Sequence, residues 1–272
     1  MTYQHPAIAN SAFSKPVKRL QELLPDFREQ LFDSRSLARL TETLIVKHDF
    51  PYNEKILALL PVKEAAQLCQ LVITEEDLYL VDRTQDELLS QACQFHTHVP
   101  FDHHFKNALN QVLNRDAQNY NLPMPTWRYV LMPLKTSSQW AGSRLWLNPE
   151  ILLDIHKKPA DSCWALHTVL GLTLRSPVIR DTLYGRLELA CLCHGLLLRM
   201  HEVILPRNAD KLQTFLGYPS LPLVNRVLED LKFRHIPGER DELMKKYSAI
   251  LRQHERKTYI DAEERALARS GG

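Results

Sequence analysis

The chain has 272 residues, 44% of them hydrophobic and 24% charged. It is long enough to bury a sizeable core, and too apolar to be disordered throughout. A formal net charge of +2 and a pI near 8.2 give no mandate for binding nucleic acid or membrane surfaces.

Eight glycines and sixteen prolines set the grain of the sequence. Glycine is less than half of average usage, and no G-x-G-x-x-G or G-x-x-x-x-G-K-[ST] loop occurs, so phosphate-cradling folds are excluded on motif grounds. The prolines predict short helices. Ser14-Lys-Pro16 opens the first, to Leu24. Ser34 or Ser36 opens another, with Leu37, Leu40, Leu44 and Ile45 at helical spacing. Tyr52 to Leu60 and Pro61 to Ile73 read as two more. Thr84-Gln-Asp-Glu87 has the capping-box form and predicts a helix to about Phe95. A loop from His96 to His104 leads into a helix from Asp102 to Tyr120.

From Asn121 to Leu147, three prolines forbid a long helix. Trp127 to Leu131 and Arg144 to Leu147 are rich in β-formers, so a small hairpin is expected near 126–147. Asn148-Pro149-Glu150 starts a helix to Lys157. The organising piece is Ser162 to Leu205, read as two helices parted by Ser176-Pro177. The second is apolar on almost every side from Leu189 to Leu198, and a helix apolar all round is buried all round. Short helices follow near 210–216 and 223–233. A last helix, after Pro237-Gly238, carries Leu243, Met244, Tyr247, Ile250 and Leu251 as one apolar stripe.

The expected fold is therefore mainly α: a multi-helix bundle around a long buried central helix. Its expected regions are an N-terminal helical region (1–120), a Pro-rich connecting segment (121–147), a central helical core (148–238) and an amphipathic C-terminal helix and tail (239–272). Five cysteines, an odd number mostly within apolar patterns, suit a reducing compartment. The N-terminus lacks a signal-peptide pattern, and the greasiest run is about half the length that spans a bilayer. A cytoplasmic protein without membrane insertion is expected.

Three sets of residues could carry function. His96, His98, His103 and His104, with Asp102 among them, form a histidine-rich stretch that superficially resembles the zinc-ligand loop of metallo-β-lactamase-fold hydrolases, with two extra residues before the Asp. Trp127-Arg128-Tyr129 offers a cation between two aromatics, suited to stacking and phosphate contact in a nucleic-acid-associated protein. The stripe Leu243, Met244, Tyr247, Ile250 and Leu251 suits docking into a partner's groove. Cys191 and Cys193 lie two apart on a helix, about 200° around its axis, and cannot share one ion. No nucleophile elbow or other catalytic signature is present.

Leu37 to Phe50, followed by Leu59-Leu-Pro-Val-Lys-Glu-Ala-Ala-Gln-Leu-Cys69, resembles the start of the accessory adaptor proteins of the type III secretion sorting platform. That resemblance implies a helical, non-enzymatic, cytoplasmic protein joining a membrane ring to the export machinery. The expected function is a non-catalytic adaptor or scaffold subunit, without cofactor, whose partners are other protein subunits. A nucleic-acid-associated role is the alternative, and a metal-dependent hydrolase built on the histidine stretch the second alternative.

Overall fold

The computed structural model describes residues 13–23, 31–32, 42–64, 67–114, 121–135, 144–157, 163–202 and 204–270. It overturns the mainly helical expectation. The chain is α/β, with a seven-stranded sheet, a four-stranded sheet and seven α-helices among the described residues.

In chain order the strands are β1 (Leu31–Phe32), β2 (Val46–Lys47), β3 (Ile56–Glu64), β4 (Gln67–Thr74), β5 (Leu78–Val81), β6 (Met124–Pro125), β7 (Val130–Lys135), β8 (Arg144–Leu147), β9 (Leu152–Lys157), β10 (Trp164–Thr168) and β11 (Thr173–Ser176). The helices are α1 (Ser14–Leu23), α2 (Gln85–Thr97), α3 (His103–Leu113), α4 (Arg180–His201), α5 (Leu212–Leu216), α6 (Pro222–Leu228) and α7 (Glu242–Ser270). The large sheet runs β2-β5-β4-β3-β8-β7-β6, antiparallel except for the β2–β5 pair. The small one runs β1-β11-β10-β9.

The two helices expected over 52–73 are instead the β3–β4 hairpin. From Ile56 to Leu60 no residue is more than 1% exposed. A strand covered on both faces has no polar alternation, so its apolar run cannot be told by period from a buried helix. Pro61 reinforced the helical reading, since proline is rare inside sheets. It is tolerated because β3 pairs with β8 only at Ala58 and Leu59; at Pro61 the strand has β4 alone beside it. Pro133 in β7 is placed alike: it pairs with Trp146 of β8, while β6 reaches only Val130 and Leu131. The Thr74 hydroxyl accepts from the Glu76 and Asp77 N–H groups and closes the turn between β4 and β5. The 59–69 stretch that carries the adaptor resemblance thus lies on strands wherever it is described, and gives that resemblance no helical footing.

The helices expected at 148–157 and 162–175 are also strands. Asn148 caps as expected, its side chain accepting from the Glu150 N–H, but the helix lasts one 3-10 turn, Pro149–Ile151, before β9 begins. In the small sheet Ile155, Leu166 and Leu174 are buried, while Asp154, His156, His167 and Arg175 on the opposite pleat are half-buried or exposed. That alternation was legible. The run Trp164-Ala-Leu-His-Thr-Val-Leu simply satisfies both periods.

The central helix itself stands, shortened to 22 residues. Ser176 lies before it at the end of β11, where its hydroxyl donates to the Lys135 carbonyl and ties the small sheet to β7. Residues 189–197 of α4 are all buried. Gly195 lets Ile236 approach so closely that an added Cβ would lie 2.9 Å from its terminal methyl carbon. The capping box at Thr84 and Glu87 opens α2 as read. Residues 33–41 and 115–120, parts of two other expected helices, lie outside the described residues. The 121–147 segment contributes β6, β7 and β8 to the same sheet as β3 to β5. No helix among the described residues is long and apolar enough to cross a membrane.

Candidate nucleic-acid interface

The C-terminal helix leaves the body from a rigid base. The Pro237-Gly238 turn needs a left-handed residue, and Gly238 supplies it at φ 69°. Arg199, buried near the end of α4, donates to the carbonyls of Pro237 (2.9 Å) and Glu239 (3.0 Å). Arg240 reaches back to the Glu202 carbonyl at 2.7 Å. The Glu242 carboxylate accepts from the Glu239 N–H at 2.9 Å, and that bond holds its carboxyl below the ordinary range. From here α7 runs 29 residues, about 43 Å.

Its first turns pack on α3. Leu243 and Tyr247 are buried, Tyr247 with its ring 6.0 Å from Phe105. Met244, Ile250 and Leu251 are half-buried against the core. The five residues expected to meet a partner thus form the seam between α7 and its own body. From Arg252 to Ile260 every residue is exposed.

The face turned away from that seam is basic. Lys245, Arg252 and Arg256 are spaced by seven and four residues, which brings them within about 20° of one line along the helix, spanning about 16 Å. Leu243 and Tyr247 lie roughly opposite. Between residues 243 and 260 there are five cations (245, 246, 252, 256, 257) and one carboxylate, Glu255, for a net +4. Lys246 is held by Glu242 at 3.4 Å. Among the described residues no carboxylate pairs with Lys245, Arg252 or Arg256. Counting charge over the whole segment, 239 to 270, hides this, because acids cluster at its two ends.

The other sequence-picked residues are placed differently. Tyr129 is fully buried, and Arg128 pairs with Glu75 and donates to the Asn53 carbonyl. Trp127 is 38% exposed, lying against His201 at 5.6 Å, and the equally exposed Arg128 side chain is held down by Glu75. The trio is therefore a plug and not a base-stacking platform.

The histidine stretch is divided between elements. His96 lies in α2, buried edge-on among Phe95, Trp127 and Tyr129 with ring centroids 5.1–5.6 Å away. Burial pushes it down to about 4, with Arg128 adding to the effect. His98 closes α2 in a left-handed conformation. His103 and His104 open α3 after Asp102, whose carboxylate accepts from the Phe105 N–H. They meet His254 of α7 instead of the other two. Among the described residues no group of three or more His, Cys, Asp or Glu is arranged to hold a metal ion. The zinc-loop reading has no geometry behind it.

Cys191 and Cys193 are buried and form no disulfide, as expected of core residues, and burial raises the Cys191 thiol well above its ordinary value. Comparison with protein-family models, curated proteins and solved structures finds no match to this chain.

Proposed function

We propose that this chain is a nucleic-acid-binding protein in which an α/β body presents its C-terminal helix to a phosphate backbone. The observation that carries the reading is the row Lys245, Arg252 and Arg256 on the helix face turned away from the body. Such a row neutralises successive phosphates and releases their counterions, which makes affinity fall steeply with salt. Phosphate contacts of this kind position a protein without reading sequence. Five cysteines outside any disulfide, four of them buried, fit a reducing compartment and support a cytoplasmic site of action.

The test is binding of the full chain to a mixed-sequence duplex DNA and a duplex RNA over a salt series. The triple variant Lys245→Gln, Arg252→Gln, Arg256→Gln should bind more weakly on every sequence. Its log–log salt slope should be lower by about 3 on DNA. An unchanged slope removes the reading.

A second reading, the protein adaptor, has one observation of its own. Tyr259 and Ile260 stand 66% and 52% exposed on the same helix. A protein groove would cover them. Tyr259→Ala with Ile260→Ala should then abolish partner co-purification while the triple Gln variant retains it.

A further inference from the structure

Three imidazoles from distant parts of the chain meet where α7 leaves the body. His103 and His104 stand in the first turn of α3, and His254 in the middle of α7. Ring centroids are 3.7 Å apart for His103–His104, 4.7 Å for His104–His254 and 6.4 Å for His103–His254. Nothing in the proposed phosphate contact uses them, since His254 lies on the side of α7 facing α3.

Neutral imidazoles at these distances meet in tilted and edge-on contacts at the rim of the seam. Charged ones repel, because like charges a few ångströms apart raise each other's free energy and shed protons. The groups facing His104 are Asp102 and His103 from its own element and His254 from α7. Asp102 opposes the repulsion, but its carboxylate is engaged by the Phe105 N–H. Beyond the triad, residues 255–260 are exposed, so among the described residues His254 is the most C-terminal ring contact between helix and body.

We propose that His103, His104 and His254 form a proton-operated clasp: neutral, they hold the middle of α7 against the start of α3; protonated, they push it away. The released part carries Arg252, Arg256 and Lys257, so acidification frees the basic face to reorient. The clasp is a property of the protein alone and does not depend on the nucleic-acid reading. Its linkage sign follows from like-charge repulsion. The closed form binds fewer protons than the open one, so closure is favoured near neutrality and lost on acidification. Burial and both neighbouring imidazoles hold His104 below its ordinary value, in keeping with that sign.

The experiment is hydrogen exchange on the full chain at pH 7.5 and 5.5, corrected for intrinsic rates and without nucleic acid. Protection of amides in 248–262 should fall about tenfold at the lower pH, while that of α4 amides stays unchanged. In His254→Gln the fall should disappear. The His104 imidazole, followed by NMR, should also titrate at a higher pH in that variant than in the wild type. Constant protection in the wild type, or an undiminished fall in His254→Gln, overturns the clasp. An unmoved His104 midpoint overturns it as well. His254 is exposed, so the variant leaves the core intact.

Discussion

Lys55 and Glu150, 95 residues apart, form an ion pair of 2.5 Å inside the protein. Lys55 stands just before β3, and Glu150 in the 3-10 turn that feeds β9. The pair therefore joins the large sheet to the entrance of the small one. The lysine side chain is 17% and the carboxylate 9% exposed. Burial raises the Glu150 carboxyl, while Lys55 and Asn148 pull the other way. Desolvation outweighs the pairing.

That balance sets the first prediction. Lys55→Met should destabilise the protein by about 3 kcal/mol, because it strands a buried carboxylate, and Glu150→Leu should do the same to the ammonium. The double variant should lose less than either single one. Urea denaturation of the three proteins measures the coupling. Additive losses would show that the two groups act independently.

Acid should unfold the protein through its buried histidines. Burial holds His96 down to about 4 and His194 to about 3, against an ordinary value near 6.5. A base whose folded value is depressed is carried neutral, so its contribution is complete above about 6.5. It drains away as pH falls through the folded value. For His96 alone the change between neutrality and pH 4 is on the order of 3 kcal/mol. Urea midpoints taken at pH 7 and 4.5 should drop steeply in the wild type and less so in His96→Phe. Equal drops would place the acid liability elsewhere.

The two faces of α7 should respond oppositely to substitution. Leu243 is fully buried, so Leu243→Ala should cost about 2–4 kcal/mol of stability. Arg252→Gln and Arg256→Gln, at exposed positions, should change stability by less than about 0.5 kcal/mol. Thermal melts of the three variants separate a structural seam from a free surface. A stable Leu243→Ala variant would mean that the helix does not depend on α3.

Arg199 should control how firmly α7 is rooted. Its guanidinium satisfies two carbonyls of the 237–239 turn from a buried position. Arg199→Met keeps the stem and removes the donors, leaving those carbonyls short of partners at a cost of about 2 kcal/mol. Amide protection in the first turns of α7 should fall with it, while β3 and β4 amides keep theirs. Loss confined to the sheets would contradict the rooting role.

The sequence by itself determined the elements whose signals are local. Thr84 and Glu87 close a capping box within four residues, and α2 starts there. The apolar run of 189–197 is buried as its composition demands. Gly238 and the stripe from Leu243 to Leu251 place and orient α7. Even the basic row at 245, 252 and 256 is readable from spacing, once the acids at the ends of the segment are set aside. Tertiary structure decided what has no local signature. Ile56–Leu60 and Trp164–Thr168 satisfy helix and strand periods alike, and became strands because neighbouring strands supply their hydrogen bonds. The Leu-to-Leu stripe became an internal seam because α3 lies beside it. His254 meets His103 and His104 only because two helices some 150 residues apart in the chain pack side by side, a proximity that no spacing along the chain encodes.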